Sequence, residues 1–196
     1  NRINVEEKTS QALIISPTRE LSLQTKKVVD SLSCMIKNLS TYLLVGGSPL
    51  NEDISFLNHH NPHIIIGCPG RIHDMLRRKV LNSKHFKIIV LDEADEMLST
   101  GFKEQIYNIF EYMPFNIQAT LFSATIPDSI HNIINKFMRD PIKILVKTEQ
   151  LTLEGIDQYY VALDNDSQKY EALKDLYDVL SLTQCIIYCN SVKRVD

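Results

Sequence analysis

The sequence predicts an α/β fold built on a parallel sheet with helices on both faces. Three observations carry that expectation. Short apolar runs alternate with longer amphipathic stretches, the runs are rich in Ile, Val and Leu, and polar or turn residues bound each one. Strands buried on both faces read as unbroken apolar runs. Strand-helix alternation then closes a parallel sheet through right-handed crossovers.

The expected strands are 12–15, 42–45, 64–66, 88–91, 119–122 and 142–146. Between them, Thr18 can cap a helix whose apolar stripe includes Leu21, Val28, Val29 and Leu32. Helices are also expected over 70–78, carrying Ile72, Met75 and Leu76, and over 102–113, carrying Ile106, Ile109 and Phe110. A further helix over 128–138 carries Ile130, Ile133, Ile134 and Phe137. The pattern pauses after residue 147, and a polar linker is expected over 148–154. Beyond it an alternating strand over 156–163, a helix over 167–182 and an apolar strand over 185–189 read as the opening of a second βαβ unit. One such unit cannot bury its own sheet faces, so the second domain, 155–196, is expected to be incomplete within the sequence.

The formal net charge of -3 is too low for indiscriminate polyanion binding, so a nucleic-acid ligand would need Lys and Arg gathered on one face. Apolar runs such as 64–66 and 88–91 are too short to cross a bilayer, and no apolar segment follows the first residues as a signal peptide would require. Of the four cysteines none forms a C-x-x-C pair, which reads as reduced thiols of a cytoplasmic or nuclear protein. His59, His60 and His63 flank a loop and are expected at the surface.

The sharpest chemical signal is Asp92-Glu93-Ala94-Asp95, directly after the apolar run 88–91. Carboxylates just beyond the carboxyl end of a parallel strand stand where open α/β sheets bind ligands. Mg²⁺ keeps most of its waters and takes one or two carboxylates plus phosphate oxygens, a role that suits Asp92. Glu93 can orient or deprotonate a water for in-line phosphoryl transfer. Taken alone, the tetrapeptide also fits an acidic turn opening a helix.

It does not stand alone. Pro17-Thr18-Arg19-Glu20-Leu21, Gly46-Gly47, Pro69-Gly70-Arg71, Asp92 to Asp95, Ser123-Ala124-Thr125 and Ile186-Ile187-Tyr188-Cys189-Asn190-Ser191 occur in the order of the DEAD-box family of RNA helicases. The chain resembles that family over essentially its whole length. Within the family, 92–99, 101–107, 137–141 and 151–156 resemble the subgroup of initiation factor 4A and its exon-junction paralogue.

The resemblance implies a RecA-like domain over 1–147, the start of a second after the linker, and ATP and Mg²⁺ as cofactors. It implies an ATP-dependent RNA helicase with a protein scaffold of initiation-complex or exon-junction type, and no membrane. Asp92 is then the Mg²⁺ carboxylate, acting through water, and Glu93 the water-positioning group. Ser123 and Thr125 couple nucleotide state to RNA grip, with Asp95 as partner; as plain sequence they could instead cap the helix near Asp128. Pro17, Thr18, Arg19, Gly46, Gly47, Pro69, Gly70 and Arg71 line a track for one RNA strand, held through a helix N-terminus and backbone groups. Read without the family, the glycine doublet is a loop that needs positive φ and Thr18 a helix cap.

Two positions depart from the family pattern. Cys68 stands where Thr is usual before Pro-Gly-Arg, and a thiol is the poorer donor. Tyr188 stands where Phe is usual, with its stacking face kept. No G-x-x-x-x-G-K-[ST] loop occurs, and none of the six glycines precedes a lysine. The family's phosphate cradle is therefore expected upstream, and its strand centrally in the sheet, so that an apolar gap would face solvent without it. The 196 residues are expected not to turn over ATP unaided. The alternative is a non-catalytic RNA- or protein-binding module that keeps the fold.

Overall fold

In a computed structural model, which describes residues 2–99, 101–145, 155–180 and 183–195, five parallel strands pair without interruption. They are β1 (Ala12–Ile15), β2 (Thr41–Leu44), β3 (Ile64–Gly67), β4 (Ile88–Leu91) and β5 (Gln118–Leu121), in the order β2-β3-β1-β4-β5. Each matches an expected strand to within a residue, and for the aliphatic runs of β1, β3 and β4 a largely buried strand has few rivals.

The helices that return the chain are α1 (Arg19–Ser33), α2 (Leu50–His59), α3 (Pro69–Arg77), α4 (Ala94–Ser99), α5 (Lys103–Tyr112) and α6 (Asp128–Phe137). Alternate strand residues face two layers. Leu13, Ile15, Ile65, Ile89 and Leu91 join a large core with α3, α4, α5 and α6. Ala12, Ile64 and Ile66 form a smaller one with Val29 of α1. Gly67 is a steric necessity, since a Cβ there would lie 1.9 Å from the carbonyl oxygen of Leu44 on the neighbouring strand.

The chain divides into two compact units, Asn1–Lys143 and Ile144–Asp196. In the second, α7 (Gln168–Val179) matches the expected helix, followed by a 3-10 turn (Val192–Arg194). The segments 156–163 and 185–189, expected as strands, form no ladder among the described residues. Both have the apolar character of strands but no hydrogen-bonded partner among the described residues, and composition without a ladder makes no sheet. Likewise 142–145 carries no ladder, and Ile142 and Ile144 are exposed; Val146 and the linker 148–154 lie outside the described residues.

Three further expectations are corrected. Val28 and Leu32 do not belong to the buried stripe of α1 but are exposed. His63 is buried rather than at the surface. Its Nδ1 accepts from the Ser40 amide at 3.1 Å, so Nε2 carries the proton and donates to the Val5 carbonyl at 3.2 Å. The sheet has no central gap among its five strands; thin cover shows instead at its side, where β5 is partly exposed and Ile88 and Val90 are half-buried.

Candidate nucleotide and nucleic-acid edge

The register sets the geometry of the site. Leu44, Gly67, Ile15, Leu91 and Leu121 end their strands in one hydrogen-bonded row across the sheet. The motifs at 17–21, 46–47, 69–71, 92–95 and 123–125 each follow one of these residues, so these five open from the same carboxyl edge. With about 4.8 Å between neighbouring strands, the loops after β2, β3 and β1 lie within roughly 10 Å of sheet width. The loops after β4 and β5 continue the same row.

On the β4 side the chain turns sharply. Asp92 donates its amide to the Ile15 carbonyl at 2.9 Å, prolonging the ladder by one residue. Glu93 then takes φ 54, the left-handed region, and Ala94 starts α4 buried. A non-glycine residue held there costs about 1 kcal/mol or more, and such residues gather at functional sites. The carboxylates of Asp92 and Glu93 make no hydrogen bond or ion pair within the described residues. No group of three or more His, Cys, Asp or Glu side chains that could cage a metal occurs among them either. One half-buried, unengaged carboxylate at a strand end fits Mg²⁺, which keeps its waters and takes phosphate oxygens.

Asp95 has the opposite environment. Its Oδ2 accepts from the Thr125 amide at 2.9 Å and from Thr125 Oγ1 at 2.7 Å. Its own amide donates to Ser123 Oγ at 3.2 Å, and Ser123 Oγ donates to the Thr125 carbonyl at 2.6 Å. Burial works against ionisation of Asp95, but hydrogen bonds from the Thr125 hydroxyl and amide outweigh it and hold the carboxyl below the usual carboxylate range. The hydroxyls therefore do not cap α6. Its N-cap is Pro127, without a side-chain cap bond. Glu93, Asp95, Glu96, Ser99, Thr125 and Pro127 line a hollow of about 260 Å³.

On the other side, Thr18 caps α1, its hydroxyl accepting from the Leu21 amide at 3.2 Å. Arg19 is exposed and lies against Gly47, where an added Cβ would meet Arg19 Nη1 at 3.0 Å. Gly47 has φ 87, so a side chain there would be strained as well as crowded. Gly46 and Gly70 are exposed, whereas Pro17 and Pro69 are buried and shape their loops from below. Cys68 is the N-cap of α3 but makes no cap bond; its Sγ lies 3.5 Å from Ser22 Oγ, and burial pushes the thiol pKa up.

Arg71 departs most from expectation. Its guanidinium does not stand free at the helix start but pairs with buried Asp53 and donates from Nη2 to the Ser48 carbonyl at 2.8 Å. Sequence reasoning missed Asp53, although an acidic residue in the first turn of an unassigned amphipathic stretch was a usable signal.

The family model for the DEAD/DEAH box helicase matches residues 1–133. The chain is 47% identical to the ATP-dependent RNA helicase eIF4A of Aspergillus niger over all of its own length and 48% of that relative's. It is 47% identical to eukaryotic initiation factor 4A-3 of Nicotiana plumbaginifolia, across 95% of this chain and 47% of that relative's length. It thus spans about half the length of the curated relatives it matches. Among solved structures, a DEAD box protein from Methanococcus jannaschii superposes with a TM-score of 0.70 at 37% identity, covering 89% of this chain and 46% of that one. S. cerevisiae Dbp5 bound to RNA and ADP BeF3 superposes with a TM-score of 0.79 at 29% identity, covering 98% of this chain and 48% of that one. With the ordered motifs opening from one edge of a parallel sheet, these matches make the chain a member of the DEAD/DEAH box helicase family.

Proposed function

We propose that the protein containing these residues is an ATP-dependent RNA helicase, an RNA-stimulated ATPase that unwinds short duplexes or remodels RNA-protein complexes. The observation that carries this reading is the division of one sheet edge into two adjoining parts. The loops after β4 and β5 offer two unengaged carboxylates beside a hydrogen-bonded Asp95, Ser123 and Thr125 cluster. The loops after β2, β3 and β1 offer glycines, a helix N-terminus and an exposed Arg19.

In this reading Asp92 holds Mg²⁺ through water, and the ion neutralises charge on the phosphates. Glu93 orients or deprotonates the attacking water. Asp95 links the Thr125 loop to the strand end that carries both. The Thr18 helix start, Arg19, Gly46, Gly47 and Gly70 hold an RNA backbone, with Pro17 and Pro69 fixing the course of their loops. A backbone grip discriminates by shape and 2′-hydroxyls rather than by base edges, so sequence preference is weak. A protein scaffold of initiation-complex or exon-junction type and a cytoplasmic or nuclear setting belong to the same reading.

Glu93→Gln in the full protein tests the assignment. The expected result is a loss of RNA-stimulated ATP hydrolysis of roughly 100-fold or more, with RNA retained in the presence of ATP. Hydrolysis at the parent rate would refute the role of Glu93. Equal stimulation by DNA and RNA would refute the choice of RNA.

A further inference from the structure

Beneath the Gly46-Gly47 loop lies a closed polar cluster with no part in the roles above. Asp53, on α2, is 3% exposed. Its Oδ2 takes the ion pair from Arg71, and its Oδ1 accepts from Tyr42 Oη at 2.9 Å. Arg71 also donates to Ser48, with Nη2 on the carbonyl oxygen at 2.8 Å and Nη1 on Oγ at 3.3 Å. Ser48 Oγ donates in turn to the Val45 carbonyl at 3.0 Å, which ties the two ends of the glycine loop together. The Tyr42 ring stacks on Phe56 with centroids 3.9 Å apart. Burial, reinforced by Asp53, pushes the Tyr42 phenol up to about 12, so it stays a donor at any physiological pH.

The Arg71 side chain is only 12% exposed and already has three acceptors, which is not the state of a group waiting for a phosphate. A buried ion pair is a poor way to gain stability, because desolvation offsets most of its attraction. What this one does is set position. Its hydrogen bond to the Ser48 carbonyl falls directly after Gly47, the residue held at φ 87. The loop is thereby fixed from below while Gly46 and Gly47 remain open above.

We propose that Asp53 and Tyr42 are positioning residues for the RNA-facing glycine loop and act through Arg71, which shapes that loop instead of contacting RNA. This rests on the RNA-binding reading above. It predicts an effect of opposite sign from a direct Arg71-phosphate contact. Asp53→Asn would release the loop clamp, so RNA affinity falls. If Arg71 were a phosphate ligand, the same change would free a guanidinium, and affinity would hold or rise.

The experiment is a salt series of Kd values for a labelled single-stranded RNA, read by fluorescence anisotropy on the full protein and its variants. Asp53→Asn should weaken binding about tenfold, the equivalent of one charge-assisted hydrogen bond. The slope of log Kd against log salt should stay at the parent value, since no phosphate contact is lost. Tyr42→Phe should follow in the same direction with a smaller loss, and Asp53→Glu should recover part of the affinity. Arg71→Gln should also leave the slope unchanged, whereas a direct contact would lower it by roughly 0.7.

A second variant guards against misfolding. Asp53→Leu with Arg71→Met removes both charges at little cost to the fold, yet still leaves the Ser48 carbonyl unclamped. Weakened RNA binding at the parental salt slope by a double variant that melts like the parent supports the positioning role, and parental affinity or a lowered slope overturns it. A parent protein that does not bind RNA refutes the RNA reading and this inference with it. A parent that binds, with Asp53→Asn binding equally well, refutes the positioning role alone.

Discussion

Removing the Thr125 hydroxyl should uncouple the loop after β5 from α4 by a measurable amount. Thr125→Val keeps the β-branched shape and deletes one of the two donors to Asp95 Oδ2, leaving the amide at 2.9 Å. A hydrogen bond to a charged group contributes about 1.5–3 kcal/mol, and Thr125 is exposed, so solvent screening reduces this to about 1 kcal/mol. Asp95→Asn removes the charge that both donors address. In a double-mutant cycle the coupling between the two changes should therefore be about 1 kcal/mol. The chain has no tryptophan, so urea unfolding is best followed by circular dichroism. The pH dependence supplies an internal control. The Asp95 carboxyl is held below its ordinary value in the folded state, so its contribution is complete above the unfolded carboxyl range and is lost as pH falls through the folded value. The coupling should be constant near neutrality and vanish in acid. Strict additivity, or a coupling that ignores pH, would refute the charge-assisted bond as the link.

Two other substitutions probe the frame beneath the site. Gly67→Ala would put a Cβ 1.9 Å from the Leu44 oxygen and 2.7 Å from its carbon, so β2 and β3 must part. A destabilisation of about 3 kcal/mol or more is expected, with weaker RNA binding because the loops after both strands hang from that pair; denaturant unfolding and RNA anisotropy check both. Cys68→Thr places a hydroxyl at an N-cap that now makes no cap bond, and should raise stability by about 0.5–1 kcal/mol, read as an increase in Tm.

Most of the frame was legible because its signals are local. A buried parallel strand is a continuous apolar run, and 12–15, 64–66 and 88–91 needed nothing more to be recognised. Helix α2 is absent from the expected elements although Leu50, Ile54 and Leu57 keep helical spacing. The segments 142–145, 156–163 and 185–189 are just as apolar, yet a ladder depends on a partner that composition does not supply. His63 was misplaced for the same reason: its partners Ser40 and Val5 lie 23 and 58 residues away. Arg71 is the instructive case at the site. Motif order pointed to the residue, but its partner Asp53 is 18 residues earlier and in no motif, so the ion pair was not legible in the sequence.

The three carboxylates of 92–95 show how one short stretch can hold different chemistries. Asp92 ends a strand, and its backbone belongs to the sheet through the Ile15 carbonyl. Asp95 lies in the first turn of α4, and its side chain belongs to the loop after β5. Only the left-handed turn at Glu93 separates them. Had the chain run straight into the helix, like charges within one turn would face each other and repel. The turn instead divides the environments: Asp95 Oδ2 is met by hydroxyl and amide donors, while the Asp92 and Glu93 carboxylates have no partner among the described residues. A strained φ at Glu93 costs about 1 kcal/mol, and in exchange two adjacent carboxylates stay unengaged among the described residues while the third anchors the neighbouring loop. The strain is thus a condition for the division of roles, which explains why a residue other than glycine is held in that conformation at this one point of the edge.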